Sequence, residues 1–324
     1  MLSTRVTRPG YAPGVHRALR AICAPPPIGA VHPCQGRQTE PPCRIAWRHP
    51  SSRRHLVFHQ PPPPRPLVSV VIPVKDDAGP LEHCLRGLSR QSIALEEIIV
   101  VDNGSRDASA AVARAHGATV ITCGAPGIAA AASAGYDAAR GEVILRLDAD
   151  CSPQPGWART MVEALQNDPQ TDAVLGGASF HDGPSWLRRP LAAAYLSAYV
   201  AIVGTALGHW PLFGSNLAMR ADAWHAVSAS VHRWDVDTHD DIDLAFHLGE
   251  RHRIAAVGPE HMTISMRPFA DAGLFAARVR KGFRTVTMHW PHDFPPVRWD
   301  RRALRRVTRR ARERRARDLH RLAA

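Results

Sequence analysis

The chain is short of acid where it begins. Its first 66 residues hold one carboxylate, Glu40, among many prolines that include the run Pro61 to Pro64. Such a stretch offers too little apolar surface for a core, so a disordered arm is expected over residues 1–66. The six cysteines, Cys23, Cys34, Cys43, Cys84, Cys123 and Cys151, include no CxxC pair. Cys34 and Cys43, with His32 nearby, match no usual zinc spacing, and the set argues against a disulfide framework. Cys84, Cys123 and Cys151 lie in or beside apolar runs, where free thiols pack as small hydrophobes. No continuous apolar stretch follows the basic residues near Met1, so no secretory signal is read and a cytoplasmic location is expected. Leu191 to Leu207 carries no charge, but it is alanine-rich and contains Gly204. It is about as long as the shortest spanning helices, roughly 17–25 residues, yet weakly hydrophobic, and a buried or interfacial helix is expected.

What is present is a balanced middle with a basic end. A hydrophobic fraction of 45% suffices for a sizeable core, and a charged fraction of 22% is ordinary. The net charge of +12 is uneven, because Arg298 to Arg321 is dominated by arginine. An evenly basic protein would point to nucleic acid. A basic tail on a balanced core points to an attachment device. From Trp299 to Arg321 a helix would carry Leu304, Val307 and Ala311 along one side and arginines around the rest, a form suited to an anionic membrane surface.

Order begins at Leu67. Leu67 to Ile72 is a β-branched run ended by Pro73 and reads as a buried strand. Pro80 to Gln91 follows as a helix, with Leu81, Cys84, Leu85 and Leu88 at helical spacing. Strands are predicted at Glu97–Asp102, Ala118–Thr122 and Val143–Leu147, and helices at Asp107–His116 and Gly127–Arg140. Alternation at these lengths predicts a mostly parallel sheet with helices on its faces. Ligands bind such sheets beyond the carboxyl ends of the strands. Lys75, Asp76, Asp102, Asp148 and Asp150 all stand at such ends.

Three acidic clusters carry the chemistry. Asp102-Asn103-Gly104-Ser105 closes one strand, where a carboxylate can accept hydrogen bonds from a base or ribose, or simply form an Asx turn. Asp148-Ala149-Asp150 closes another. Two carboxylates flanking one small residue repel at a buried strand end unless a cation or donors compensate. Together they can reach a hard divalent ion that bridges to phosphate. Asp235, Asp237, Asp240, Asp241 and Asp243 form the third cluster. Thr238 and Asp241 fit a capping box, so some of these residues serve a helix start. One of them facing the sheet edge could act as a general base.

These clusters, in this order, resemble the inverting glycosyltransferase family 2, which has the GT-A fold. Asp102 to Asp107 is similar to its VDNGSxD segment, and Gly127 to Asp150 to the stretch leading into its DxD motif. Phe213 to Arg220 looks like its G-x-N-x-A-x-R element, and His239 to Leu244 like its ED-x-DL helix start. The ordered set is more specific than any one piece. Composition sets off a disordered arm over 1–66 and an arginine-rich tail over 291–324, and the resemblance, over about residues 67–250, implies a catalytic domain over 67–290. The domain would comprise a nucleotide-binding half, 67–150, and an acceptor half, 151–290. It implies that Pro73, Val74, Asp102 and Asp148 bind the nucleotide, that Asp148 and Asp150 hold Mg²⁺ or Mn²⁺, and that Asp241 is the general base with Asp240 beside it. The reaction would move one hexose from a nucleotide sugar, a UDP-sugar being favoured, with inversion. The acceptor would be a hydroxyl whose carrier the sequence leaves open; a lipid-linked one, in cell-envelope or glycoconjugate biosynthesis, would make attachment to a membrane surface useful.

The sequence departs from the family at Ala132 and Ser133, where an Arg-Asn pair is common, and at Val74, Lys75 and Asp76, where an aromatic and an asparagine are common. The first departure leaves a phosphate contact to be supplied elsewhere or keeps open an inactive nucleotide-binding relative. The second leaves the base open. No Gln precedes Arg298-Trp299 at the spacing of a processive QxxRW motif, so transfer of one sugar is expected. A nucleic-acid-binding protein using the tail leaves the aspartates unexplained. A nucleotidyltransferase needs a Gly-rich phosphate loop, to which only Lys75 hints.

Overall fold

The computed structural model describes residues 66–323, apart from 260 and 270. The arm expected over residues 1–66 therefore lies outside the described residues, save Pro66. In chain order the elements are β1 Val68–Val74, α1 Ala78–Leu88, β2 Glu97–Asp102, α2 Ser109–Ala115, β3 Thr119–Thr122, α3 Ile128–Ala138 and β4 Val143–Arg146. Next come β5 Ser152–Pro153, α4 Trp157–Gln166, β6 Ala173–Gly176, β7 Ser179–Phe180, α5 Ser185–Leu207, β8 Leu217–Arg220 and α6 Ala221–Val227. The described chain ends with α7 Asp240–Arg251, β9 Ile254–Val257, β10 Met262–Ile264, α8 Ala272–Met288 and α9 Pro295–Ala323.

Seven strands form one sheet in the order β3-β2-β1-β4-β8-β6-β9. β1 runs parallel to β2 and β4, whereas β8 is antiparallel to both β4 and β6. The expected nucleotide and acceptor halves thus share a single sheet, joined where β4 pairs β8. A small second sheet has the order β5-β10-β7.

Every residue of β1 is buried, which explains its unbroken apolar run: helices cover both faces of the sheet. Alternate residues divide between two cores. Val70, Ile72, Val100 and Leu145 pack with Leu81, Leu85 and Trp157, while Val71, Ile99, Val101 and Ile144 pack with Ala131, Tyr136 and Trp224. The α1 face predicted from spacing is the face buried: Leu81, Cys84, Leu85 and Leu88. α3 lies close on the sheet because it is built of small residues. A Cβ on Gly135 would overlap Val71.

α5 contains the uncharged stretch and is, among the described residues, the one helix long and apolar enough to cross a membrane. Only Ala192, Val203 and Leu207 of it are buried, so it is not a core helix. It is apolar nearly all round, and periodicity therefore could not identify a buried face. The basic end does form a helix, α9, with Leu304 and Val307 exposed. Its start is anchored: the buried Arg298 donates to the carbonyls of Leu207 and Phe246, and Trp299 Nε1 donates to the Thr205 carbonyl.

Candidate active site

A cavity of about 960 Å³ opens beyond the carboxyl ends of β1 and β4. Pro73, Val74, Lys75 and Asp77 line it on one side, and Asp148, Ala149 and Asp150 form its floor. The facing wall is α8. Leu274, Ala277, Arg278, Lys281 and Arg284 recur every three or four residues, so one helix face looks into the cavity. With Arg280 on the same helix, and Lys75 and Arg267 elsewhere in the lining, the cavity is strongly cationic. Arg278, Arg280 and Lys281 form no ion pair among the described residues, so their charge is available to a ligand.

The strand-end carboxylates have been given partners from distant parts of the chain. Asp148 Oδ1 accepts from Arg146 Nη2 at 3.0 Å, and its Oδ2 accepts from Ser215 Oγ at 2.6 Å. Asp150 accepts from Arg267 Nη2 at 2.8 Å, while the same guanidinium forms a two-pronged pair with Asp77 at 2.8 and 3.0 Å. These donors do not fully balance the charge. Burial, and then the neighbouring Asp148, hold the Asp150 carboxyl above its usual range despite Arg267. The same burial and the fields of Asp150 and Asp148 push the Cys84 thiol up, so it stays protonated and inert. A floor of two oxygen ligands still short of positive charge fits a hard divalent ion.

Arg146 connects this floor to the third cluster. It is a buried arginine in a central strand, and its Nη1 lies 2.8 Å from Asp240 Oδ2, an ion pair without hydrogen-bond alignment. A Cβ on Gly214 would overlap its guanidinium, so the chain needs glycine there. One arginine faces three carboxylates, Asp148, Asp240 and Asp241. Burial, then Asp241 and Asp148, outweigh it and push the Asp240 carboxyl up to about 6. Asp241 is held by two backbone donors, Gly214 at 2.9 Å and Ile242 at 2.8 Å. Its Gly214 partner lies between Phe213 and Ser215, which line the cavity, and the phenol of Tyr195, also in the lining, is pushed up by burial and next by Asp241.

Of the residues predicted from sequence, Pro73, Val74, Asp148 and Asp150 line the cavity. Asp102 stands at the end of β2 as expected, but its carboxylate caps the Ser105 N–H, the Asx-turn alternative, and Asn103 lines the cavity in its place. Asp240 and Asp241 open α7 one layer behind the lining. Ala132 and Ser133 are buried and do not line the cavity, whose cationic residues include Arg278, Lys281 and Arg284 of α8. Arg146, Arg267, Ser215 and the α8 wall were not foreseen. The helical spacing of Arg278, Lys281 and Arg284 was the available signal.

The Glycosyl transferase family 2 model matches residues 69–230, half of the 324-residue chain. The chain is 32% identical over 123 residues to glycosyltransferase AglE of Haloferax volcanii, covering 36% of this chain and 40% of that protein. It is 38% identical over 112 residues to an undecaprenyl-phosphate 4-deoxy-4-formamido-L-arabinose transferase of Pseudomonas aeruginosa, covering 32% and 33%. The chain thus spans less than two thirds of the length of these relatives. Among solved structures, the mannosyltransferase PcManGT of Pyrobaculum calidifontis, in complex with GDP-Man and Mn²⁺, aligns with a TM-score of 0.54 at 20% identity, over 72% of this chain and 68% of that one. That likeness agrees with the expected GT-A arrangement of a mixed, mostly parallel sheet between helices. The family match runs from β1 past α6, through every strand end that builds the cavity floor, and the chain belongs to Glycosyl transferase family 2.

Proposed function

We propose that the protein is a glycosyltransferase that moves a single hexose from a UDP-sugar to an acceptor hydroxyl with inversion. One observation carries this reading: a carboxylate floor, Asp148 and Asp150, faces a cationic wall on α8 across one cavity. A sugar diphosphate needs both. Held by Asp148 and Asp150, Mg²⁺ or Mn²⁺ would neutralise charge on the departing diphosphate. Lys75, Arg267 and the α8 residues would hold phosphate oxygens, and Pro73 and Val74 would pack beside the nucleotide. In this reading Asp102 meets the base with Oδ2, since the Ser105 N–H takes Oδ1.

Asp241 would take the acceptor proton as the acceptor oxygen bonds to the anomeric carbon and the bond to diphosphate breaks on the opposite face. Its two backbone donors hold the carboxylate in a fixed position. Asp240, tied to Arg146, would position it. The acceptor is proposed to be lipid-linked, in keeping with the undecaprenyl phosphate named for the Pseudomonas relative. The open face of α5 and the arginines of α9 would then rest on the anionic cytoplasmic face of a membrane. Equal binding to anionic and neutral liposomes at low salt would remove that part.

Thermal stabilisation by UDP-, GDP- and dTDP-sugars, with and without Mn²⁺, tests the main reading. A ligand at about 100 times its Kd adds roughly 2.7 kcal/mol. A UDP-sugar should stabilise the wild type in the presence of Mn²⁺ and leave Asp150→Asn unmoved. No stabilisation by any sugar nucleotide sinks the proposal.

A further inference from the structure

We infer that His232, Asp243, His247 and His289 form a zinc site that clasps the start of α7 to the end of α8. One ligand atom from each of the four lies within 4.8 Å of all the others. Asp243 and His247 are four residues apart on α7, so they share a face. His289 caps α8, and His232 comes from the segment between α6 and α7.

The hydrogen-bonding of His289 is the decisive detail. Its Nδ1 lies 2.7 Å from the Thr285 carbonyl, which can only accept, so Nδ1 carries the hydrogen. On a neutral ring Nε2 is then a bare lone pair. That atom is buried and lies 3.2 Å from Asp243 Oδ1 without hydrogen-bond alignment. His247 Nε2 is also buried and without a hydrogen-bond partner, 3.4 Å from the same oxygen. His232 Nδ1 reaches that oxygen at 2.7 Å. Three imidazoles converge on one carboxylate oxygen, and a proton on one ring leaves the others unanswered. A cation among them answers all at once.

Three imidazole nitrogens and one carboxylate suit zinc rather than magnesium or calcium. With bonds of roughly 2.0–2.1 Å, a tetrahedral site has ligand–ligand edges of about 3.3–3.4 Å. The 3.2 and 3.4 Å separations are already of that size, while His232 must retreat from 2.7 Å and the widest pair, up to 4.8 Å apart, must close. The orienting shell is in place too. A metal-bound histidine usually donates its second ring N–H to a carbonyl, as His289 does to Thr285. The His289 ring is fixed by stacking on Phe246 at 4.0 Å. His232 is 42% exposed and offers the way in, while Asp243 and His289 are closed off at 3% and 5%. The site is separate from the carboxylate floor of the cavity. Its effect on the site would be mechanical, since Asp243 is two residues from Asp241.

The test uses the full chain, free of any affinity tag, purified from zinc-supplemented medium and desalted. Metal analysis should find close to one zinc per chain in the wild type and in Asp150→Asn. His289→Ala and His232→Ala should lose it. His232 is the exposed ligand, so that variant keeps the test open if His289→Ala fails to fold. Cobalt(II) added to metal-depleted protein should give the intense visible bands of a tetrahedral site in the wild type and not in His232→Ala. Two results overturn the inference: zinc content unchanged in both histidine variants, or a wild type that retains no zinc and whose melting temperature does not respond to added Zn²⁺.

Discussion

Asp148 and Asp150 stand at the tip of a strand, whereas Asp240, Asp241 and Asp243 stand at the start of a helix. The first pair opens onto a cavity, and the partner of Asp150, Arg267, is about half exposed. The second group is closed. Asp240 meets a buried arginine, Asp241 meets backbone N–H groups, and Asp243 meets histidines. The same residue type thus carries three separate tasks within four positions. Openness suits a floor that exchanges a metal and a diphosphate on each turnover. Closure suits groups that must stay fixed. Among the described residues, Arg146 is the side chain that pairs with both clusters.

The largest expected effect would separate the two clusters by function. Asp241→Asn should lower kcat by about 10²–10⁴-fold, the usual scale for a lost general base, while UDP binding stays intact. Asp150→Asn should lose the Mn²⁺-dependent binding itself. Measuring kcat and nucleotide affinity side by side breaks the comparison if Asp241→Asn abolishes UDP binding and Asp150→Asn does not.

Next in size is the link between the clusters. Arg146→Met removes the one cation facing Asp148, Asp240 and Asp241. Breaking a buried pair from one side costs about 3–5 kcal/mol, because the orphaned charge stays buried. Urea unfolding should show a loss of that order. The double variant Arg146→Met with Asp240→Asn should recover part of it, since one orphaned charge is gone. A double variant no more stable than the single would mean that Arg146 acts by packing instead.

The effect of pH is smaller and has a definite sign. Asp240 titrates at about 6 in the folded chain, against about 3.9 for an unperturbed aspartate. The folded state therefore binds the extra proton between these values, and stability falls as pH rises from about 4 to about 6. Asp150, also held above its usual range, adds to the same decline. In Asp240→Asn the fall in stability across that window should shrink, as read from urea midpoints at stepped pH. An unchanged slope would place the burden on Asp150 alone.

Physics decides which of these features the sequence announces. β1 was readable because burial on both faces demands a continuous apolar run, and α1 because Leu81, Cys84, Leu85 and Leu88 must share one side. The positions of Asp148 and Asp150 followed from the strand they end. The compensation of their charge did not. Arg146 interrupts an apolar strand, and nothing local says that Asp240 will meet it. Arg267 joins Asp77 across 190 residues. The histidines around Asp243 come from three separate segments, so no spacing rule unites them. Asp102 was legible in place but not in use, because an Asx turn and a base contact demand the same residue at the same strand end. α5 was legible as a helix but not in its exposure, since apolar residues all round leave no face to read.

The smallest effect concerns the open cluster and tests whether its openness is real. Arg267 pairs with Asp77 and Asp150 at the cavity mouth, with about half of its side chain in solvent. Ion pairs so exposed contribute less than about 1 kcal/mol, since water screens them and ordering a long side chain costs entropy. Arg267→Gln should therefore leave the urea midpoint nearly unmoved, in contrast to Arg146→Met. Its consequence should appear in ligand binding. Without the guanidinium, Asp150 has no competing cation, so Mn²⁺ alone should bind more tightly. The cationic lining loses a member, so UDP should bind less tightly at saturating Mn²⁺. Opposite shifts in the two titrations, with unchanged stability, are expected for a residue that guards an exchangeable floor. A stability loss approaching that of Arg146→Met would instead make Asp77, Arg267 and Asp150 part of the framework, and the contrast between an open and a closed cluster would fail.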